Sequence, residues 1–393
     1  MNIVYISDYP THHVIPLCEE LYRLLGEEFL FISTKERIKE GESKSYNKGF
    51  AYYHAESSDY PWCRSILNTD DTDICVERIE TADAVITANT SDEYIKNRLK
   101  AGGLTFRAHE RWYRESDPGF LKLHRAIIGG FLHHGRYEKL YMLCASAYTA
   151  KDSNSVGCFK GKCYKWGYFP ETVMTDEAVL MQNKIRNRIV WAGRDLELKH
   201  PELAVYTAEY LKGKGIDLEM HIFGIEKDSK YAALADIKGL SDRVLFHGTV
   251  SPETLRKELL RSEIFLMTSD RREGWGAILN EAMNSGCAVV ASHAAGAVPF
   301  LIKDGENGFV YQSGNVRELT EKVGRLLQEE DLAFRLGKKA YETIRDLWNA
   351  EVAAERLITL VKTIKDGTED PQKLFADGPC SEAEILEDEW YHS

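Results

Sequence analysis

Two carboxylates, Glu273 and Glu281, flank a glycine-rich turn in the segment Glu273-Gly274-Trp275-Gly276-Ala277-Ile278-Leu279-Asn280-Glu281-Ala282-Met283-Asn284-Ser285-Gly286-Cys287-Ala288-Val289-Val290-Ala291-Ser292. The pattern reads as a turn, a short helix, a glycine helix stop and a buried strand. Glu273 sits on the turn and Glu281 about a turn inside the helix, so both can face one cleft. A carboxylate accepts two hydrogen bonds at once, which suits a vicinal diol such as a ribose or hexose edge. Gly274 and Gly276 let the backbone approach a ligand closely, and the amides opening the helix favour a phosphate.

The elements that must hold these groups alternate along the chain as short apolar strands and longer helical patterns. Strands are expected at Ile3–Ile6, Phe29–Ile32, Ala84–Thr87, Leu104–Arg107 and Leu140–Ala145, with a helix at Ile15–Leu25. A turn-rich stretch, Trp166-Gly167-Tyr168-Phe169-Pro170, opens a break. The rhythm restarts at Arg188–Ala192 and continues through Leu218–Phe223, Val244–Phe246, Ile264–Met267, Ala288–Ala291 and Gly308–Val310. This β-α-β order predicts α/β architecture with parallel sheets covered by helices. Two Rossmann-like domains, residues 1–170 and 171–365, are expected to meet across a cleft, with the last helix crossing back to the first. Residues 366–393 read as an acidic tail, solvated or loosely docked, in which Leu374, Phe375, Ile385, Leu386, Trp390 and Tyr391 leave room for docking onto the protein's own surface.

The bulk properties set outer bounds. The 393 residues carry a formal charge of -12, which argues against a duplex nucleic-acid partner. The eight cysteines are scattered and lack paired zinc spacing, so reduced thiols are expected. The opening Met1-Asn2-Ile3-Val4-Tyr5-Ile6 reads as a strand and not a signal peptide, and no run of about 18 apolar residues suggests a membrane span. The expected location is cytoplasmic. Asp70-Asp71-Thr72-Asp73 contains an Asp-x-Asp of the metal-binding kind, but its place before Ile74–Ile79 fits helix capping.

The Glu273–Ser292 segment resembles the signature E-G-F-G…E-A…G-x-P-V-V-A-S of family 4 glycosyltransferases, retaining enzymes of the GT-B fold. It departs at Trp275 and Ala288. Val190-Trp191-Ala192-Gly193-Arg194 followed by Lys199-His200-Pro201 resembles the family's G-R-x(4)-K element. The resemblance implies that Arg194 and Lys199 neutralise the donor diphosphate, one as a planar fork and the other as a mobile point charge. It implies that Glu281 holds the ribose and Glu273 the hydroxyls of the transferred sugar, with Gly274, Trp275 and Gly276 lining the donor. His221-Ile222-Phe223-Gly224, Val244-Leu245-Phe246-His247-Gly248 and Asp304-Gly305-Glu306-Asn307-Gly308-Phe309 resemble further elements of the family. A G-G-x-P-E segment appears as Gly296-Ala297-Val298-Pro299-Phe300, its Glu replaced.

In the first half, family members carry a His at the place of His109, near the donor sugar. The resemblance implies that this imidazole meets a sugar hydroxyl and supports charge building at the anomeric carbon. Asp8, His12, His13 and Glu110 are candidates for the acceptor side. The loop Ser7–His13 lacks the family's glycine pair, so contact with the phosphates from there is not expected. Gly119–Tyr141 mixes apolar residues with Lys122, His124, Arg125, His133, His134 and Arg136, a pattern that either packs on its own sheet or meets a bilayer.

The resemblance implies a retaining hexosyltransferase with a nucleotide-sugar donor, UDP-linked by family frequency, and a saccharide or lipid-linked saccharide acceptor. It implies work in cell-surface polysaccharide or glycoconjugate synthesis, cytoplasmic or peripheral at the inner face of the plasma membrane. No metal and no cofactor are expected. The alternatives are a nucleotide-sugar 2-epimerase of the same architecture and a noncatalytic partner subunit.

Overall fold

The computed structural model describes residues 1–35, 60–116 and 119–392, with the side chains of 120–122 and 392 outside the description. The chain folds as two compact units. One comprises Met1–Glu171 with Asn349–Glu387, the other Thr172–Trp348 with Asp388–Ser393.

The first unit contains β1 (Ile3–Ser7), β2 (Phe29–Ser33), β3 (Cys63–Ser65), β4 (Ala84–Thr87), β5 (Thr105–His109), β6 (Leu140–Cys144) and β7 (Cys163–Lys165). They form a parallel sheet in the order β3-β2-β1-β4-β5-β6-β7. Ile3, Val4 and Ile6 are fully buried because helices cover both sheet faces, which is why these strands read as continuous apolar runs. Each such side chain contributes roughly 1.5–3 kcal/mol. The order reverses between β1 and β4, so the loops after those strands open beside each other.

The helix Ile15–Leu25 packs against Ala350–Asp366. The latter starts where Asn349 accepts the Val352 amide and stops at Gly367 in the left-handed region, φ 63°. Ion pairs Arg23–Glu351 and Lys365–Asp83 tie it to the first unit.

The acidic segment after it takes the docked alternative, against β7. Lys165 N–H donates to Ser381 O at 2.8 Å, and Cys380 N–H donates to Lys165 O at 2.8 Å. Glu382 forms an antiparallel bridge with Tyr164, and Lys165 pairs with Asp377 at 2.7 Å. The segment satisfies the open edge of β7, whose unpaired backbone groups outweigh the repulsion among the acids.

The second unit contains β8 (Ile185–Ala192), β9 (Glu219–Phe223), β10 (Val244–Phe246), β11 (Ser262–Met267), β12 (Ala288–Ser292) and β13 (Phe309–Tyr311). Its parallel order is β10-β9-β8-β11-β12-β13. Ile189, Trp191, Ile222, Leu266 and Val290 lie in its core. The order reverses between β8 and β11, and a sheet of this kind opens a crevice at the carboxyl ends of the two strands beside that reversal. The Asp304–Gly308 turn is structural. Asn307 Nδ2 donates to Leu301 O, and its Oδ1 accepts from Lys303 N–H. The chain end docks on this unit, where the Tyr391 hydroxyl lies 2.7 Å from Val310 O and 2.5 Å from Glu318 Oε1.

Asp71 stands at the N-cap position of the helix Thr72–Thr81, as the Asp-x-Asp spacing suggested, but its side chain caps no amide. It accepts from Asn68 Nδ2 at 3.1 Å instead. All eight cysteines are buried free thiols. Among the described residues, no helix is long and apolar enough to cross a membrane.

Candidate active site

In the second unit the loops leaving β8 and β11 meet at the strand-order reversal. After β8 the chain turns through Gly193 and Arg194 and makes one 3-10 turn, Glu197–Lys199. Thr268, at the end of β11, donates its hydroxyl to Lys199 O at 2.6 Å and receives the Trp191 indole N–H at 2.7 Å. Asp270 N–H donates to Leu198 O at 2.9 Å. Two bonds, one from a hydroxyl that the indole orients, therefore fix the backbone that carries Lys199.

The Lys199 ammonium forms an ion pair with Glu273, each side chain about 13% exposed. Ser269 Oγ donates to the same Glu273 oxygen at 3.0 Å. A half-desolvated pair of this kind holds both groups in register and leaves a second carboxylate oxygen for another partner. Arg194 is exposed at the neighbouring loop. That loop lies hard against β9, since a Cβ on Gly224 (φ +83°) would stand 2.2 Å from Gly193 O.

Behind the pair lies a charged network. His200, in the left-handed region at φ 48°, bonds Glu202 Oε1 through Nδ1 at 2.8 Å and Asp270 Oδ2 through Nε2 at 3.1 Å. Hydrogen bonds to Asp270 and then Glu202 raise this imidazole to about 9, so it is charged at neutral pH. Burial alone would raise Asp270, but His200 and Arg272 together hold its carboxyl well below the usual range. Arg272 Nη2 donates to Asp270 Oδ2 at 2.7 Å. His200, Thr268, Ser269, Asp270 and Arg272 were given no role from the sequence. Their polar character beside the signature was visible, but pairing across two strands was not.

The turn itself needs its glycine. Gly276 adopts φ +90°, and a Cβ there would meet Met267 Cε at 2.2 Å. Gly274 is buried, and Gly296 N–H supports the turn by donating to Glu273 O at 3.3 Å. Trp275 faces the core of the second unit. Its side chain is fully buried, donates to Asn280 Oδ1 at 2.9 Å and packs near Trp348 with ring centroids 5.9 Å apart. Glu281 lies on the helix Ile278–Asn284, where burial pushes its carboxyl up to about 7 against the pull of Arg256. Near neutrality it can both donate to and accept from a diol.

In the first unit His109 ends β5, exposed, with Nδ1 bonded to Glu110 O at 2.6 Å. A carbonyl only accepts, so Nδ1 is the donor in this bond and Nε2 is left for another partner. Ala145 N–H donates to the His109 carbonyl at 2.9 Å, which pins the residue. Glu110 is already engaged, accepting from the Tyr168 hydroxyl at 2.7 Å and pairing with Arg114. Arg111 is buried with Asp152, whose carboxylate also accepts the Trp112 and Tyr113 amides, so it braces the loop. Asp8 pairs with Lys35 at 2.8 Å. His13 stacks on Tyr168, and its ring lies 3.6 Å from that of His12. Burial, then His12, lowers His13 to about 3, so it is neutral.

Residues 175–343 match the family model for glycosyl transferases group 1, a span that lies inside the second unit. The poly(ribitol-phosphate) α-N-acetylglucosaminyltransferase of Staphylococcus aureus is 28% identical over 170 residues, 42% of this chain and 34% of that protein. The chain spans about a third of the length of the curated relatives it matches first. A glycosyltransferase structure from Rickettsia africae superimposes with TM-score 0.64 at 14% identity, covering 93% of this chain and 99% of that one. An Anabaena structure in complex with UDP, HepE, gives TM-score 0.64 at 13% identity, covering 93% and 100%. Two parallel-sheet Rossmann-like units of seven and six strands, with these neighbours, define the fold class as GT-B.

Proposed function

We propose that this chain is a retaining glycosyltransferase that moves a hexosyl unit from a UDP-linked donor to a saccharide or lipid-linked saccharide in cell-surface polymer synthesis. The observation that carries the reading is the Lys199–Glu273 pair, fixed by Thr268 and Ser269 at the β8/β11 reversal. Lys199 and Arg194 meet the diphosphate and stabilise the charge it gains on leaving. Glu273 and Glu281 hold sugar and ribose hydroxyls. His109 accepts a hydroxyl proton at Nε2 beside the transferred sugar. Asp8, His12, His13 and Glu110 belong to the acceptor side, where Glu110 and Asp8 act through their present ion pairs. The family match over the second unit, the Staphylococcus relative named for a polymer acceptor, and the UDP-bound Anabaena neighbour support the reading.

On this reading the donor needs no resident metal, since Arg194 and Lys199 supply the positive charge. A membrane contact through 119–141 is part of the proposal. Ile127, Ile128, Phe131 and Leu132 are exposed beside His124, Arg125 and Arg136.

The test is incubation with a panel of nucleotide sugars and acceptors, reading released nucleoside diphosphate and the anomeric configuration of the product by NMR. Loss of release in Glu273→Ala and Arg194→Ala is expected. An inverted product overturns the retaining assignment, and an epimerised donor without transfer overturns the function.

A further inference from the structure

At the carboxyl ends of β4 and β5, beside the strand-order reversal of the first unit, the structure holds a cavity of about 310 Å3. Thr87, Asn89, Thr90, Arg107 and His109 line it, and among the described residues no carboxylate does. The Arg107 side chain is 11% exposed and spends Nη2 on Asp92 Oδ1 at 2.8 Å. Its Nε is buried with no hydrogen-bond partner among the described residues. Asp92 is shared, since His133 Nδ1 lies 3.7 Å from its other oxygen. The cation is therefore only partly compensated and keeps a donor unspent. Hydroxyls stand around it. Thr87 Oγ1 makes a long contact of 3.4 Å to Phe106 O, and Thr90 Oγ1 one of 3.4 Å to Thr34 Oγ1, so both retain capacity. Asn89 sits in the left-handed region at φ 47°, a conformation that Asn and Asp adopt more readily than other side chains.

A buried fork with an unused N–H, ringed by hydroxyl and amide groups, is the donor set that recognises a phosphate ester rather than a neutral polyol. We infer that this pocket binds a phosphate ester of the acceptor, with Arg107 on the phosphate oxygens and Asn89, Thr87 and Thr90 on the flanking hydroxyls. The cavity has the size of a small-molecule site. Only the word acceptor rests on the proposed function. Phosphate binding itself does not.

The experiment is titration of the full chain with glycerol 3-phosphate and with glycerol, without donor, by calorimetry and by NMR of the ligand. Saturable binding of the phosphate ester and none of glycerol is expected. Arg107→Gln should weaken it at least tenfold. Because that change also removes the Asp92 pair, Asn89→Asp is measured beside it. Asp tolerates the same backbone conformation and adds a repelling charge, so a similar loss with an unchanged circular dichroism spectrum is expected. Equal binding of glycerol and its phosphate, or undiminished binding in both variants, overturns the inference. Donor breakdown is followed on the same wild-type sample. Its absence beside intact phosphate binding would count against the transferase reading and not against the pocket.

Discussion

Thr268 donates its hydroxyl to the carbonyl oxygen of Lys199 at 2.6 Å while accepting the Trp191 indole N–H. The core of the second unit is thereby wired to the residue proposed to meet the diphosphate. Thr268→Val keeps the shape, strands a buried indole N–H and frees the Lys199 carbonyl. A loss of about 1–3 kcal/mol is expected in chemical denaturation. Turnover should fall about tenfold, as small misplacements of positioned groups do. Unchanged turnover in a destabilised variant would separate the wiring from the chemistry.

Lys199 and Glu273 share one ion pair, so their substitutions should not add. Each single change to Ala is expected to lower turnover by roughly two to three orders of magnitude, the range for one preorganised electrostatic group. The double variant should be little worse than the poorer single. Independent, multiplying losses in nucleoside diphosphate release would show that the two groups act apart.

The His200 network makes the stability of the second unit depend on alkaline pH. Its imidazole is raised from the ordinary 6.5 to about 9 by Asp270 and Glu202. The stabilisation is fully present below pH 6.5 and is lost as pH rises through 9. After allowance for solvent screening it is worth about 2 kcal/mol. Wild type minus His200→Gln, followed by denaturant unfolding from pH 6 to pH 10, should shrink across that window. A constant difference would rule the network out as its source.

The exposed stripe of Ile127, Ile128, Phe131 and Leu132, on the helix Phe120–Gly130 and the π-turn Phe131–Gly135 that continues it, is held outward because Gly130 packs on the other side. A Cβ on Gly130 would meet Cys158 Sγ at 2.9 Å, so no larger residue fits that contact. If the stripe meets a bilayer, the protein should float with vesicles containing about 30% anionic lipid and less with neutral ones. Phe131→Ser with Ile128→Ser should abolish flotation and leave donor breakdown intact. Flotation unchanged by both substitutions would exclude this helix.

Much of the fold was legible because parallel strands buried on both faces leave uninterrupted apolar runs. Ile15–Leu25 forms a helix over the residues expected, and Ala84–Thr87 the strand. The strands Cys63–Ser65 and Cys163–Lys165 were not expected, because Arg64, Ser65 and Lys165 interrupt the apolar run that marked the equally short Val244–Phe246. The expected last helix that crosses back is Ala350–Asp366, which belongs to the first unit. The Glu273 turn was legible from its glycines, one of which needs a positive φ. The burial of Trp275 was not legible, because a signature names positions and not the direction of a side chain. The His200–Asp270–Arg272 network joins residues distant in sequence, which no local pattern announces.

The crossing of the chain between units has a practical meaning for anyone dissecting this protein. Neither unit is a single stretch of sequence. A fragment ending at Glu171 would lose the helix Ala350–Asp366, whose Leu357, Leu360 and Val361 are fully buried. It would present bare apolar surface and an open β7 edge, a recipe for aggregation. A fragment of Thr172–Trp348 would lack the docked Tyr391. Separate expression of the halves therefore calls for a rearranged gene, with residues 349–387 rejoined to the first unit through an artificial link.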